Sequence, residues 1–373
     1  MRLKLSTAFQ FLFIGVLLAV AIEVVSTARE NVLRQNIVMG WNFLFARTGW
    51  DVGTGLLPQT TADPYWWTFL VGLVNTLVLS ASCICAATAT GFLLALLSSG
   101  ESRILERLTR GYVWIFRNIP IIVQVFFWYH VTREFPPVRQ AARQFGCCYV
   151  TNRGIYVPSI DVHAQPAGVV AALLVCLAAY LAYRGLRRSL TGRWPAPAFA
   201  LVIIPLCVAA AILSATVGLT ISRPRLQGFN FVEGTYLSPE FAALAVAIVA
   251  YNTAFIAEIV KAGIRSIPVG QVEAARIIGL SNTRIFWTII LPQALRVATP
   301  ALINQYISIT KSSSLAIAIG YTDLFAVGTI AINHTGQSIE IVLLLMLVYL
   351  TISSGISTIG NAYNRSITMR GAK

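Results

Sequence analysis

Residues 263–300 read GIRSIPVGQVEAARIIGLSNTRIFWTIILPQALRVATP, and this stretch decides the fold. Pro268 and Gly270 break the apolar helix before them, because proline lacks a backbone donor and glycine weakens a helix. The spacing in residues 271–278 then predicts an amphipathic helix of two turns. Its apolar side chains fall on one stripe, formed by Val272, Ala275 and Ile278. The stretch therefore places a short helix between two long apolar segments.

The two ends of this short helix are also marked. Gly279 is placed to end it, since glycine readily adopts the left-handed conformation of a helix C-cap. Ser281 is placed to cap the next helix, which returns to an apolar segment past Pro292 and Pro300. Because an isolated helix of two turns is marginal in water, this one needs a partner surface. We interpret it as a docking element.

The composition is that of a membrane protein. The chain has 373 residues, of which 57% are hydrophobic and 11% are charged, whereas a soluble domain has roughly 45–50% apolar and about 25% charged residues. The net charge of +14 does not indicate nucleic-acid binding, because the bases are dispersed between apolar runs and form no basic face. The lipid bilayer is the expected surrounding.

Eight apolar runs are long enough to cross a hydrocarbon core that is about 30 Å thick. They lie near residues 8–26, 66–98, 111–131, 166–184, 196–218, 239–260, 296–318 and 338–360. The loops on one side of these runs hold 17 Lys and Arg, and those on the other side hold 9. The excess of positive charge predicts that both termini and residues 261–295 are cytoplasmic, in a bacterial inner membrane.

Several kinds of chemistry are not indicated. Six cysteines and three histidines occur without the paired spacing of a metal site, so no metal is predicted. Cys147 and Cys148 are expected to be free thiols, because adjacent cysteines rarely have the geometry of a disulfide. No phosphate-binding GxxxxGK[ST] sequence occurs, so this chain cannot hydrolyse ATP alone. It is not expected to be an enzyme, and no cofactor is expected in it.

One pattern in residues 263–300 resembles a known family. Glu273, Ala274, Ala275, Gly279, Ile289, Leu291 and Pro292 have the spacing of the EAA loop of permease subunits in ATP-binding-cassette (ABC) importers. The position of the pattern, on the cytoplasmic side before the last two spans, strengthens this resemblance. It implies an all-α polytopic membrane protein of about eight transmembrane helices with the type I importer permease fold.

Other segments resemble the amino-acid uptake branch of that family. They are GLVNTLVLS at 72–80, YVWIFRNIPIIVQVFFWY at 112–129, YNTAFIAEIVKAGIRSIPVGQ at 251–271 and KSSSL from 311. The chain is similar to the larger permeases of general polar or L-amino-acid uptake systems. The parts implied are a first helix and periplasmic loop (1–65), a core in two pieces (66–131 and 239–363, with the EAA loop at 264–295), an inserted periplasmic loop and helix pair (132–238), and a cytoplasmic tail (364–373).

The resemblance also implies a mechanism and partners. A separate ATPase dimer, which binds ATP and Mg²⁺, would receive the short helix, and its closure would drive alternating access. A second permease subunit, which would be a paralogue in a heterodimer, and a periplasmic binding protein that delivers an L-amino acid would complete the importer. The ATPase-coupling residues are then Gln271, Glu273, Ala274, Ala275, Gly279, Leu291 and Pro292.

Polar residues on the core spans are candidates for the substrate pathway, since an amino acid needs donors and acceptors in an apolar cavity. They are Asn75, Thr76, Gln124, Asn252, Asn304, Gln305, Lys311, Ser312, Ser313 and Ser314. A break in the helix at the three serines would free backbone N–H groups for a carboxylate, whereas unbroken helix packing is the equal alternative. The alternative function is a secondary amino-acid transporter driven by an ion gradient.

Overall fold

The computed structural model describes residues 2–34, 40–53, 55–100, 102–141, 143–144, 147–164, 175, 208, 217–228 and 230–370. These residues are mostly helical. We number the helices α1 (Arg2–Arg34), α2 (Tyr65–Ser99), α3 (Arg103–Asn118), α4 (Ile121–Arg133), α5 (Pro239–Arg265), α6 (Val269–Ile277), α7 (Asn282–Ile285), α8 (Leu291–Ser312), α9 (Leu324–Thr335) and α10 (Ser338–Arg370). A π-helical turn, Phe286–Ile290, joins α7 to α8, and a 3-10 helix, Ser313–Ile319, follows α8.

Four helical segments in the described part of the chain are long and apolar enough to cross a membrane. They are Tyr65–Ser99, Pro239–Arg265, Asn282–Ile319 and Ser338–Arg365. A fifth is possible in α3 and α4 together, which are bent by 102°. The apolar part of α1, Phe9–Val24, is shorter than these spans. The predicted spans at 166–184 and 196–218 lie outside the described residues, apart from positions 175 and 208 and residues 217–218.

The predicted span at 111–131 is not one straight helix. The helix stops at Asn118, and Ile119 has extended backbone angles, with φ −86° and ψ 123°. Pro120 is the cause, because its ring disfavours a helical residue before it and its nitrogen cannot donate a hydrogen bond. Helix α3 is amphipathic: its polar residues lie on one side, and the apolar residues Ile104 and Leu108 are exposed on another. A continuous span was therefore the wrong prediction for these residues.

The described residues cluster into two units. The first comprises Met1–Trp128 and Leu244–Lys373, and the second comprises Tyr129–Ala243. In the first unit, α2 packs against α9, and α8 packs against α10. Segment 40–64 covers one end of this packing, where Phe43 and Val52 join the buried cluster that contains Phe69, Leu324 and Val327. The first unit thus holds its membrane helices around an apolar core.

The described part of the second unit contains eight short strands, which the sequence did not indicate. They are β1 (Arg143–Gln144), β2 (Cys148–Thr151), β3 (Gly154–Val157), β4 (Ser159–Ala164), β5 (Val217–Ser222), β6 (Arg225–Gln227), β7 (Asn230–Val232) and β8 (Thr235–Leu237). The sheets have the orders β1-β2-β3-β8, β4-β5 and β6-β7. Ala164 pairs with Val217, so the two ends of segment 165–216 meet across an antiparallel pair.

Candidate functional site

The short helix α6 ends where the sequence predicts. Gly279 has a φ of +81°, a conformation that favours glycine. Its N–H donates to the Arg276 carbonyl at 2.9 Å, and the N–H of Leu280 donates to the Ala275 carbonyl at 3.1 Å. This pair of bonds is the Schellman arrangement, which satisfies carbonyls at a helix end. The predicted C-cap at Gly279 is confirmed.

The next helix also begins at the predicted residue. The Ser281 hydroxyl accepts a hydrogen bond from the Arg284 N–H at 3.4 Å, so it caps α7. The π-helical turn then precedes Pro292, which occupies the first turn of α8. Pro300 lies inside α8, which continues through it to Ser312. Leu291 is buried at the start of α8 and Pro292 is exposed.

Most of α6 is exposed. Ala275 alone in this helix is buried, at 3% exposure, while Ile277 is 84% exposed. Glu273 and Ala274 lie on the exposed side. Ile278, on the predicted apolar stripe with Val272 and Ala275, is the C-cap residue of α6 and is 75% exposed. Of this stripe, only Ala275 is buried within the chain.

One hydrogen bond joins α6 to the span that follows it, and the two flanking spans touch each other. The Gln293 amide donates to the side-chain oxygen of Gln271 at 2.7 Å, and also to the Ile289 carbonyl at 3.0 Å. A Cβ built on Gly263 would lie 2.6 Å from the Ala294 carbonyl oxygen, so the end of α5 touches the backbone of α8. The short helix thus has a fixed attachment and a free face.

Two of the predicted substrate-pathway residues join α2 to the start of α9. Asn75 donates to the Thr322 carbonyl at 2.9 Å, and the Thr76 hydroxyl accepts from the Leu324 N–H at 3.0 Å. Both side chains are buried, at 2% and 0% exposure. They hold the backbone that precedes α9.

The serine run lies where the helix changes form. The α-helix ends at Ser312 and a 3-10 helix begins at Ser313. Ser313 is fully buried and donates to the Asp323 carboxylate at 3.2 Å. The hydroxyls of Ser312 and Ser314 bond backbone carbonyls of Ser308 and Lys311. The helix therefore continues through the serines with a change from α- to 3-10 form, and Ser313 packs inside the protein.

Asp323 is a buried acid that the sequence analysis did not select. It caps α9 by accepting the Ala326 N–H at 2.9 Å, and its other oxygen accepts from Ser313 and from the Tyr349 hydroxyl at 3.4 Å. Lys311 is exposed, and none of the ion pairs in the described part of the chain joins it to Asp323 or Glu340. The sequence signal was an aspartate directly before an apolar helix.

The polar residues of α5 and α8 divide into bonded and exposed ones. Gln305 donates to the Asn252 side-chain oxygen at 2.6 Å, and Asn252 donates to the Ile248 carbonyl at 2.7 Å. Asn252 is 1% exposed. Asn304, one residue before Gln305, is exposed. The structure therefore brings Asn252 and Gln305 together and leaves Asn304 on the surface of this chain.

Gln124 lies at the break between α3 and α4. Its amide donates to the carbonyls of Phe116 and Ile119, each at 3.0 Å. These carbonyls precede Pro120, and the helix has no backbone donors for them because it breaks there. The Gln124 amide supplies the missing hydrogen bonds. The Gln124 side-chain oxygen is buried and has no hydrogen-bond partner among the described residues.

Arg117 and Glu258 form a contact between two helices. The Arg117 guanidinium lies 4.0 Å from the Glu258 carboxylate and 4.9 Å from the centre of the Phe255 ring. Arg265 lies 4.0 Å from Glu106. Both pairs are partly exposed, and they link α3 to α5.

Cys147 and Cys148 are free thiols, with sulfur atoms 3.9 Å apart. Burial raises the pKa of the Cys148 thiol, and the neighbouring thiol adds to this shift. Among the described residues there is also no group of three or more His, Cys, Asp or Glu arranged to hold a metal ion.

Comparisons with known proteins identify a family and similar permeases. Residues 87–370 match the family described as binding-protein-dependent transport system inner membrane component. The putative amino-acid ABC transporter permease protein YhdX of Escherichia coli is 41% identical, with 91% of this chain and 88% of that protein covered. The general L-amino acid transport system permease protein AapQ of Rhizobium johnstonii is 35% identical, with 98% and 92% covered. A crystal structure of an amino acid ABC transporter with histidines aligns with TM-score 0.49 and 18% identity, over 81% of this chain and 95% of that one.

Proposed function

We propose that this chain, which belongs to the family of binding-protein-dependent transport system inner membrane components, is the translocation subunit of an ATP-driven importer of L-amino acids. Its similarity over most of its length to permeases named for amino-acid transport supports the substrate class. The observation that carries the coupling mechanism is the exposed helix α6, which follows the span α5 in the chain and is hydrogen-bonded to the span α8.

The free face of α6 suits a groove on another protein. Ala274 is small and exposed, so a partner can approach the helix backbone closely, and Ile277 offers apolar surface. Glu273 is exposed and can pair with a base of the partner. A helix of nine residues is marginal by itself. A partner that covered these side chains would stabilise it.

The attachment of α6 suits the transmission of motion. Gln271 is bonded to α8, and the end of α5 touches the backbone of the same helix. A partner that moves α6 would therefore move both spans, because packed elements shift as rigid bodies. Those spans carry Asn252, Gln305 and the serine run, which we assign to the substrate pathway together with Asn75, Thr76, Gln124, Asn304 and Lys311.

The remaining parts of the importer would be separate proteins. A separate ATPase dimer would bind ATP and Mg²⁺ and hydrolyse the nucleotide. A second permease subunit would complete the pathway, and a binding protein would deliver the amino acid from the periplasm. The distribution of Lys and Arg supports an orientation with both termini and α6 in the cytoplasm.

Copurification tests this proposal. The tagged chain, expressed with the proteins of its own operon and extracted in mild detergent, is expected to retain an ATPase subunit and a second permease. Proteoliposomes of this complex should accumulate L-amino acids only with ATP inside and binding protein outside. If the chain purifies without an ATPase and transports amino acids when an ion gradient alone is imposed, it is a secondary transporter and the proposal is wrong.

A further inference from the structure

The second unit contains an open pocket of about 510 Å³ that lies entirely within Tyr129–Ala243. Its lining combines charged, amide and aromatic side chains: Arg133, Asn152, Arg153, Tyr156, Asn230, Phe231, Tyr236, Pro239 and Glu240. A volume of this size is within the usual range for pockets that bind small molecules. None of these residues belongs to the substrate pathway predicted on the spans.

The aromatic wall of the pocket is firmly packed. The ring of Tyr156 lies 4.7 Å from that of Phe231 and 5.3 Å from that of Tyr236, centre to centre. Tyr156 and Phe231 are each only 8% exposed. The Tyr236 hydroxyl donates to the Arg153 carbonyl at 2.8 Å, and Gly154 leaves no room for a side chain against the Tyr236 ring. The wall therefore has a fixed shape with apolar surface.

The charges around the pocket do not neutralise one another. Five ion pairs form among the described residues, and none includes Arg133, Arg153 or Glu240. The Arg153 guanidinium donates to the Asn230 side-chain oxygen at 2.9 Å. Glu240 is half-buried and accepts from the Tyr129 hydroxyl at 3.4 Å. Two guanidinium groups and one carboxylate thus face the same space without pairing.

We propose that this pocket binds a zwitterionic α-amino acid, with its carboxylate on Arg133, its ammonium on Glu240 and its side chain against the rings of Tyr156, Phe231 and Tyr236. Arg133 is assigned to the carboxylate because the guanidinium of Arg153 already bonds Asn230. A simple anion would be repelled by Glu240, and a simple amine by the two arginines, so opposite charges on one small ligand fit best.

This site would be distinct from the pathway through the spans. The inference rests on the proposed function for its ligand class, since an amino-acid importer must receive amino acids outside the bilayer. With the orientation proposed above, the second unit lies on the side from which the substrate arrives. The pocket would hold the amino acid before it enters the membrane.

Equilibrium binding to the whole complex tests the proposal. The purified complex in nanodiscs, without binding protein and without ATP, is titrated with tritiated L-leucine. Competition uses 3-methylbutylamine, which lacks the carboxylate of leucine, and 4-methylpentanoate, which lacks its ammonium. Saturable binding is expected, and each analogue should bind at least about tenfold more weakly, as for the loss of one charge-assisted hydrogen bond.

Variants test which side chain binds the carboxylate of leucine and which binds its ammonium group. Arg133→Gln and Glu240→Gln should each weaken L-leucine binding about tenfold, with partial recovery in Arg133→Lys and Glu240→Asp. In Arg133→Gln the amine should compete as well as leucine does, since the carboxylate has lost its partner. The matched controls are Arg225→Gln and Glu233→Gln, an exposed pair 3.7 Å apart in the same unit and outside the pocket. They should bind within about twofold of wild type.

Two results would contradict the proposal that this pocket binds an amino acid. One is the absence of saturable binding up to about 1 mM L-leucine, and the other is equal binding in wild type, Arg133→Gln and Glu240→Gln. Either result leaves the importer proposal standing if an ATPase copurifies. Conversely, charge-dependent binding to a complex that contains no ATPase would support the pocket and count against the importer.

Discussion

Gln293 donates a hydrogen bond of 2.7 Å to the side-chain oxygen of Gln271, and so joins the first turn of α8 to the exposed helix α6. Both residues lie outside the apolar core. A hydrogen bond between such exposed side chains contributes little to the free energy of unfolding. Its effect is geometric, because it joins residues 22 positions apart in the chain, and the two helices must move together while the bond is intact.

The bond between Gln271 and Gln293 predicts a coupling defect without a folding defect. Gln271→Ala and Gln293→Ala should each lower uptake per ATP hydrolysed by about two- to tenfold, the range for one hydrogen bond of 0.5–1.5 kcal/mol. The double variant should be no worse than either single one, because both remove the same bond. Transport and hydrolysis are measured in the same proteoliposomes. Additive losses, or equal losses in the control Gln140→Ala, would show that the bond is not the cause.

The contact of Gly263 with Ala294 predicts a loss of stability. A Cβ at Gly263 would overlap the Ala294 carbonyl, so Gly263→Ala should lower the free energy of unfolding by about 1–3 kcal/mol. Gly270→Ala is the matched control, since nothing lies within 4 Å of a Cβ at Gly270 in α6. That control should be neutral or stabilising by up to about 1 kcal/mol. The midpoint of thermal unfolding of the complex decides this, and equal midpoints for the two variants would refute the contact.

The buried Asp323 predicts a second structural effect. Asp323→Ala removes the cap of α9 and leaves Ser313 and Tyr349 without their acceptor, which should cost about 2–4 kcal/mol. Asp323→Asn keeps an acceptor and should cost less. Asp51→Ala, at an exposed turn, should change stability by no more than about 0.5 kcal/mol. Thermal unfolding in detergent would contradict this account if the alanine and asparagine variants of Asp323 lost the same stability.

The position of Gln124 predicts that its substitution acts on stability as well as on transport. Gln124→Leu leaves the Phe116 and Ile119 carbonyls without donors at the break, at a cost of about 1–3 kcal/mol. Asn304→Leu replaces an exposed amide on α8 and should leave the unfolding midpoint unchanged. Parallel measurements of unfolding and of uptake separate the two effects. A fully stable Gln124→Leu variant with altered uptake would instead indicate direct contact with the substrate.

Local signals allowed part of this structure to be predicted. Gly279 and Ser281 act as helix caps through their own backbone and side-chain properties, and both were identified from the sequence. The serine run at 312–314 left a break and continuous packing as equal alternatives, and the structure shows a change to a 3-10 helix at Ser313. The bend at Pro120 had a local signal, yet the high apolar content of residues 111–131 favoured a single span in the sequence analysis.

Non-local contacts could not be predicted. Gln305 bonds Asn252 from 53 positions away, and periodicity does not give the distance between two helices. Glu258 of α5 contacts Arg117 of another helix, and no local pattern in the sequence indicates this pair. The strands of the second unit are short, so the alternation of apolar and polar residues that marks a strand is weak in the sequence. The pairing of β3 with the distant β8 is also not visible from either segment alone. The charged pocket depends on this pairing and was not anticipated.

Ligand-stimulated ATP hydrolysis of the reconstituted complex tests the central claim most directly. Binding protein loaded with an L-amino acid should stimulate hydrolysis by the wild-type complex, and Glu273→Lys should abolish that stimulation, because it reverses the charge on the free face of α6. Glu30→Lys, a reversal at an exposed acid of α1, should keep it. Full stimulation in the Glu273→Lys complex would contradict coupling through α6.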